Sequence, residues 1–476
     1  MDTLGDLSVF RREFYRCLTR RADALFELCD AVLCADGPVA SLVGLSLAAE
    51  HRRGHGALYD AVNCGRVQVD RLRRTLAGLP LPRDGQGRIM LAVDVSNWLR
   101  PDAATAPDRS FCHVYGRGKS AAQLIPGWPY SFVAALEPGR SSWTAMLDVV
   151  RLRPVDDLTE VTAAQVRQVV RRLGEAGQWA EGDPPILVVF DAGYDLTRLA
   201  WLLADAPVTV LGRLRSDRVF HLPAPPRAPG AGGRPARHGQ AIDLDEPAGH
   251  PASSVTTTTD TSRYGTAVAD AWDRAHQQLQ RRAAWSDHQG QLPTVEGTLI
   301  RLVVDRLPGD RDPKPVWLWC SAVGLDPATV NRLWRAYLRR FDLEHTFRLF
   351  KQTLGWTKPR IRDPKAADRW TWLIIAGYTQ LRLARHLTGD LRRPWERPPT
   401  TPGRLTPARV RRGFRHLRAK LPVPAGAPKP SRPGPGRPPG ARNKHVAAHP
   451  PVGKTQHRNQ TAGSKWVSPR NVETSP

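Results

Sequence analysis

Three carboxylates stand where a folded chain could aim them at one point. Asp94 follows the apolar run Ile89–Val93 and Asp191 follows Ile186–Phe190, while Glu344 lies in a stretch where Tyr337, Arg340, Glu344 and Lys351 recur at intervals of three, four and seven residues. Both apolar runs are short and rich in branched residues, the pattern of strands covered on both faces. A single Asp projecting from the end of such a strand can cap the next helix or pair with an arginine. Two on neighbouring strands repel unless a cation holds them, and an all-oxygen site suits Mg²⁺ or Mn²⁺. At about 100° per residue, Tyr337, Arg340, Glu344 and Lys351 share a sector of roughly 60° on one helix face. Beside it, Ala336, Leu343, Phe347, Phe350 and Leu354 form a stripe that would pack on a sheet, with Arg335, Arg339, Asp342 and His345 toward water. Converging acids flanked by bases suit the cutting of DNA.

The elements that must position these residues arrive in a telling order. A strand at about 89–95 is followed by two more near 131–137 and 144–151, the pair joined by the turn-like Glu137–Ser141. A helix over about 162–177, opening at Thr162 with Gln165 three residues on, leads to the Asp191 strand. A helix near 195–204, a strand near 207–214 and the Glu344 helix complete a mixed sheet with helices on its faces, Asp94 and Asp191 on neighbouring strands. About 150 residues separate Asp191 from Glu344, too many for one connection, so an insertion follows Arg213. Its first part, Leu222 to Thr261, is rich in Pro, Gly and Thr and reads as a flexible loop. A helix near 265–284 and strands Gly297–Asp305 and Pro315–Ser321 follow. Trp317 and Trp319 share one face of the last strand, and either stack on DNA bases or pack in the core.

The unbroken Tyr-x2-Arg-x3-Glu-x6-Lys spacing from Tyr337 to Lys351, with Asp-Ala-Gly-Tyr at Asp191–Tyr194, resembles bacterial insertion-sequence transposases of the DDE type, in the group with that signature. The likeness spans roughly residues 85–360. It implies an α/β (α+β) chain with a ribonuclease H-like core. Asp94, Asp191 and Glu344 would be catalytic and would hold two divalent ions. Cut-and-paste transposition would follow: the element's end is nicked, and its 3′-hydroxyl attacks target DNA without a covalent protein intermediate. Arg340 and Lys351 would contact phosphates near the cut, and Tyr337 would steady the end of the transposon strand. The implied partners are the element's terminal inverted repeats, target DNA and a second protomer in the active complex. A non-catalytic regulator on the same fold remains an alternative that a lost acid would mark, and all three acids are present. A nuclease or resolvase would share the metal site.

Charge agrees with a nucleic-acid partner. The 476 residues carry a formal charge of +25, and residues 401–476 hold 16 Lys or Arg against the single acid Glu473. That tail offers a basic helix over Thr406–Lys420 and then Pro435-Gly436-Arg437-Pro438-Pro439-Gly440, similar to an AT-hook, whose Arg437 would enter a minor groove unless the segment is a plain basic linker. The loop Tyr115–Ser120 could grip phosphate through Arg117 and Lys119, or serve as an exposed hairpin turn. Trp98, one helical turn beyond Asp94, could receive a flipped base or pack in the core. Residues 1–84 read as helices, Leu7–Leu33, Pro38–His51 and Tyr59–Leu76, and Gly44–Leu72 is compatible with a helix-turn-helix or with a plain structural helical hairpin. The expected division is 1–84 helical and DNA-binding, 85–215 first part of the core, 216–325 insertion, 326–390 last part of the core, and 391–476 disordered basic tail.

Six scattered cysteines form no CxxC pair, and the 14 histidines form neither an HExxH nor a Cys/His cluster. Reduced thiols, no zinc motif and no ATP-binding loop are therefore expected. No apolar run approaches the length of a membrane span and no signal-like start is visible, so the expected location is the cytoplasm, on the chromosome.

Overall fold

This computed structural model describes residues 3–114, 123–139, 141–227, 229–230, 232–246, 249–282, 285–286, 288–307, 312–399, 404–429 and 448–453. Arg117, Lys119 and Arg437 lie outside the described residues.

Amphipathic spacing makes the N-terminal segment helical. It forms α1 (Thr3–Cys17), α2 (Ala22–Cys34), α3 (Leu42–Ser46), α4 (His55–Cys64) and α5 (Val69–Ala77), with β1 (Leu18–Arg20) paired antiparallel to β2 (Arg66–Val67). A helix-turn-helix is not formed: α3 has five residues, and the span Leu58–Leu72 breaks where β2 pairs with β1.

The central sheet follows. Its strands are β3 (Met90–Leu99), β4 (Ser110–Val114), β5 (Gln123–Leu136), β6 (Thr144–Arg151), β7 (Ile186–Phe190) and β8 (Val208–Arg213), with α6 (Leu158–Glu175) and α7 (Leu196–Leu202) between the later ones. Their order, β6-β5-β3-β7-β8, places three antiparallel strands beside the parallel set β3, β7 and β8. That is the ribonuclease H-like arrangement. Helix α6 begins before Thr162 because Asp157 caps it, accepting from the amides of Thr159 and Glu160, both at 2.9 Å.

Beyond β8 the insertion extends the sheet instead of looping away from it. Strands β9 (Val219–Pro223) and β10 (His238–Asp243) form a separate hairpin. Then β11 (Val255–Thr261), β12 (Gly265–Ala275), β13 (Gly297–Val304) and β14 (Val316–Cys320) continue antiparallel from β8 to complete ten strands. Two expectations are corrected here. The stretch 222–261 contains β10 and β11, because the Thr run pairs residue for residue with β12. The expected helix over 265–284 begins as β12: Ala267, Ala269 and Ala271 alternate into the core, so sheet pairing overrides alanine's helical preference.

Four helices close the fold: α8 (Pro327–Arg339), α9 (Phe341–Gln352), α10 (Pro364–Leu383) and α11 (Pro407–Arg418). Helices α8 to α10 cover one sheet face over Met90, Ala92, Trp98 and Phe132. Helices α6 and α7 cover the other, over Leu91, Val93 and Val133. Helix α2 is buried from Ala24 to Cys34 because α1, α4, α10 and α11 enclose it. Part of the expected disordered tail is thus packed: Arg411 of α11 donates to the Val32 carbonyl at 2.9 and 3.0 Å, and Gly453 bridges to Ser110.

Buried ion pairs join these layers. Asp30 of α2 accepts from Arg11 at 2.7 Å and from Arg418 at 2.6 Å. Asp148 of β6 lies between Arg73 of α5 at 2.9 Å and Arg172 of α6 at 2.6 Å. Among the described residues, no helix is long and apolar enough to cross a membrane.

Candidate active site

Strand alternation decides which way the two aspartates face. Asp94 shares a side of β3 with Met90, Ala92 and Trp98, and Asp191 follows β7 on the side of Leu187 and Val189, so both face the layer of α8 and α9. The parallel register pairs Ala92 with Val189; carried two residues further, it sets Asp94 beside Asp191. Asp94 lies within β3 and not at its end, because β5 pairs with β3 as far as Leu99.

The third acid comes from the helical layer. The expected single helix is interrupted at Arg340, where the Arg340 amide bonds to the Tyr337 carbonyl and the Leu343 amide to the Arg340 carbonyl, a tightened turn between α8 and α9. The Arg340 side chain turns inward and is 3% exposed. Its guanidinium reaches Asp94 Oδ2 at 3.0 Å, Asp191 Oδ2 at 3.4 Å and Glu344 Oε1 at 2.9 Å. Tyr337 donates to Asp191 Oδ1 at 3.5 Å. Asp342, expected in water, is buried and pairs with Arg339 at 2.9 Å.

The electrostatics follow from one cation shared by three acids. Burial pushes the Asp94 carboxyl up to about 6 against the pull of Arg340, and Asp191 adds to the rise. Burial works against the Arg340 charge, yet Asp191 and Asp94 hold it above the usual arginine range. Burial lowers Lys351, partly offset by Asp94, and its ammonium lies 5.7 Å from the centre of the Trp356 ring. Burial and then Asp191 raise Tyr337.

The structure therefore brings together Asp94, Asp191, Tyr337, Arg340 and Glu344, with Lys351 close to Asp94. Trp98 is corrected: it is fully buried in β3, edge-on to Trp128 and Trp356, and no base can reach it. Trp317 and Trp319 are likewise core residues, donating to the Leu244 and Ala275 carbonyls at 3.0 and 3.2 Å.

Two neighbours escaped the sequence reading. The Tyr194 hydroxyl is buried and is pushed well up, by burial first and then by Asp94 and Asp191. Arg213 is exposed at the end of β8, where the Phe190–Gly212 pairing carried one residue on sets it beside Asp191. The usable signal was register: ligands gather at the carboxyl ends of parallel strands.

Asp94, Asp191 and Glu344 fit divalent ions by chemistry: the donors are all oxygen, and they already converge on one cation. Among the described residues, no group of three or more His, Cys, Asp or Glu stands ready-made as a metal site, since Arg340 occupies the space between the acids.

Residues 13–308 match the family model described as DDE superfamily endonuclease, a segment that includes Asp94 and Asp191 and stops before Glu344. No curated protein matches the chain.

Proposed function

The chain belongs to the DDE superfamily endonucleases, and from that membership we propose that it is a transposase of the Tyr-Arg-Glu-Lys group, which cuts the ends of an insertion sequence and joins the freed 3′-hydroxyl to target DNA. Members of the superfamily act on DNA and generally use divalent metals. The observation that carries the finer reading is the single guanidinium within 3.4 Å of Asp94, Asp191 and Glu344, three acids drawn from distant parts of the chain.

Held by these acids, two ions, Mg²⁺ or Mn²⁺, would supply an activated water or 3′-hydroxyl and positive charge for the leaving oxygen. Arg340 can exchange its carboxylate partners for the phosphates of the strand being cut, because a guanidinium suits both. Lys351 and exposed Arg213 would add phosphate contacts, and Tyr337 would steady the transposon end. The helices of residues 1–84 would take part in end recognition. The basic tail, with Arg437 in its AT-hook-like segment, would add sequence-tolerant affinity for the chromosome, where the protein would act. Two ends must be held at once, so the active complex would contain at least two protomers.

Arg340 also favours a second reading. An arginine that already satisfies the acids would let a non-catalytic regulator keep the fold and bind DNA without metal. Incubating the protein and its Glu344→Gln variant with labelled DNA carrying the ends that flank its gene separates the two. Mg²⁺-dependent nicking at the element boundary, and joining of those ends to a plasmid, by the wild type alone are expected. Cleavage without joining would leave a nuclease, and binding without cleavage would leave the regulator.

A further inference from the structure

No sequence motif links His221, His238 and His276, yet the fold gathers them. His221 is on β9, His238 on β10 and His276 directly follows β12. Backbone bonds of 2.8 and 3.0 Å between His221 and His276 fasten the β9–β10 hairpin to the end of β12. The imidazole centres are 5.3 Å apart for His221 and His238, 5.2 Å for His238 and His276, and 6.4 Å for His221 and His276.

These separations have the scale of a metal site. A point equidistant from the three rings lies roughly 3.3 Å from each centre by simple triangulation, and a Zn–N bond of about 2.0–2.1 Å plus about 1.2 Å from nitrogen to ring centre needs nearly the same.

The hydrogen bonds choose the nitrogens. His276 Nδ1 faces the Arg274 carbonyl at 3.2 Å, and His221 Nδ1 faces the Gly239 carbonyl at 3.4 Å. A carbonyl can only accept, so both Nδ1 atoms carry the proton and both Nε2 atoms keep the lone pair. A histidine that binds metal is commonly oriented in this way, its other nitrogen donating to a carbonyl. His238 Nδ1 lies 2.9 Å from His276 Nε2, so two candidate ligands already face each other. The nearby charges are engaged elsewhere: Arg237 binds Thr294 at 3.2 Å, and Glu296 binds Arg274 at 2.8 Å.

We propose that His221, His238 and His276 bind a transition-metal dication, Zn²⁺ by ligand type, which clips the β9–β10 hairpin to β12. The present 2.9 Å hydrogen bond draws two nitrogens closer than the ~3.3 Å of tetrahedral zinc, and the triad is not ready-made as it stands. A small rotation of half-buried His238, with its proton moved to Nε2, opens the pair. The neighbouring Gln277 accepts from Thr197 of α7 at 3.1 Å, so the clip also touches the helix that follows the Asp191 strand.

The test uses the full-length chain, stripped of metal and titrated with Zn²⁺ against a chromogenic chelator. In an Asp94→Asn background, which removes the proposed acidic site, one Zn²⁺ per chain is expected, weakened at least tenfold when either His221→Ala or His238→Gln is added. Cobalt(II) should give the intense visible bands of a nitrogen-ligated tetrahedral ion, and Zn²⁺ should raise the melting temperature of the wild type but not of His238→Gln. Circular dichroism checks the fold of each variant. Absence of this binding by the folded parent protein, or binding by both histidine variants as tight as the parent's, would overturn the proposal.

Discussion

Two clusters in this protein use the same chemistry in opposite proportions. In the helical layer, Arg11 and Arg418 share the single carboxylate of Asp30, which is 1% exposed. At the sheet, Asp94, Asp191 and Glu344 share the single guanidinium of Arg340, and Glu344 is 49% exposed. The first cluster is closed and has cations to spare; Asp148, between Arg73 and Arg172, repeats that pattern. The second is open on one side and has one cation in direct contact with three acids. A buried acid whose charge is fully answered by arginines serves to join layers, whereas acids that outnumber the cation in contact with them leave room for another cation from solution.

Glu344→Gln should separate the clusters most sharply. DNA cleavage is expected to fall at least ~10⁴-fold, a barrier increase of about 5 kcal/mol, while the urea midpoint stays or rises because one repelling charge is gone. A parallel loss of cleavage and stability would make the two clusters alike. Asp30→Ala comes next, since it strands Arg11 without its carboxylate. Urea unfolding should show about 3–5 kcal/mol lost, and an unchanged midpoint would mean that the helical layer does not rely on this pair.

Titration gives a third contrast. The Asp94 carboxyl stands at about 6 in the fold against an ordinary 3.8. The folded state therefore favours its protonated form, so this stabilising contribution is complete below about pH 4 and lost as pH rises through 6. In EDTA, wild type relative to Asp94→Asn should lose on the order of 3 kcal/mol of unfolding free energy between pH 4 and 7. A flat difference would remove Asp94 as the strained member. Smallest is Lys351→Met, expected to weaken end binding by about 1 kcal/mol and to reduce the salt slope by about 1. No change in slope would place Lys351 off the phosphate path.

The active-site half of the fold was legible because strands covered on both faces are apolar throughout, which exposed Asp94 and Asp191 as exceptions. Tyr337, Arg340, Glu344 and Lys351 were legible as a set because helical spacing is local. The inward turn of Arg340 was not, because only the convergence of β3, β7 and α9 gives its guanidinium three partners. In the insertion, the Thr run of β11 looked too polar for a strand and the alanines of β12 looked helical. Pairing between them supplies what neither segment has alone. For Trp98 the sequence left a flipped base or core packing open, and β3, continuing past Asp94, carries it under Trp356.

Manganese binding followed by electron paramagnetic resonance, on wild type and Asp94→Asn with their folds checked by circular dichroism, tests most directly whether the excess of acids around Arg340 recruits a metal. Specific Mn²⁺ binding by the wild type, lost in Asp94→Asn, is the result predicted. Equal binding by the two proteins, or none by the folded wild type, would contradict it.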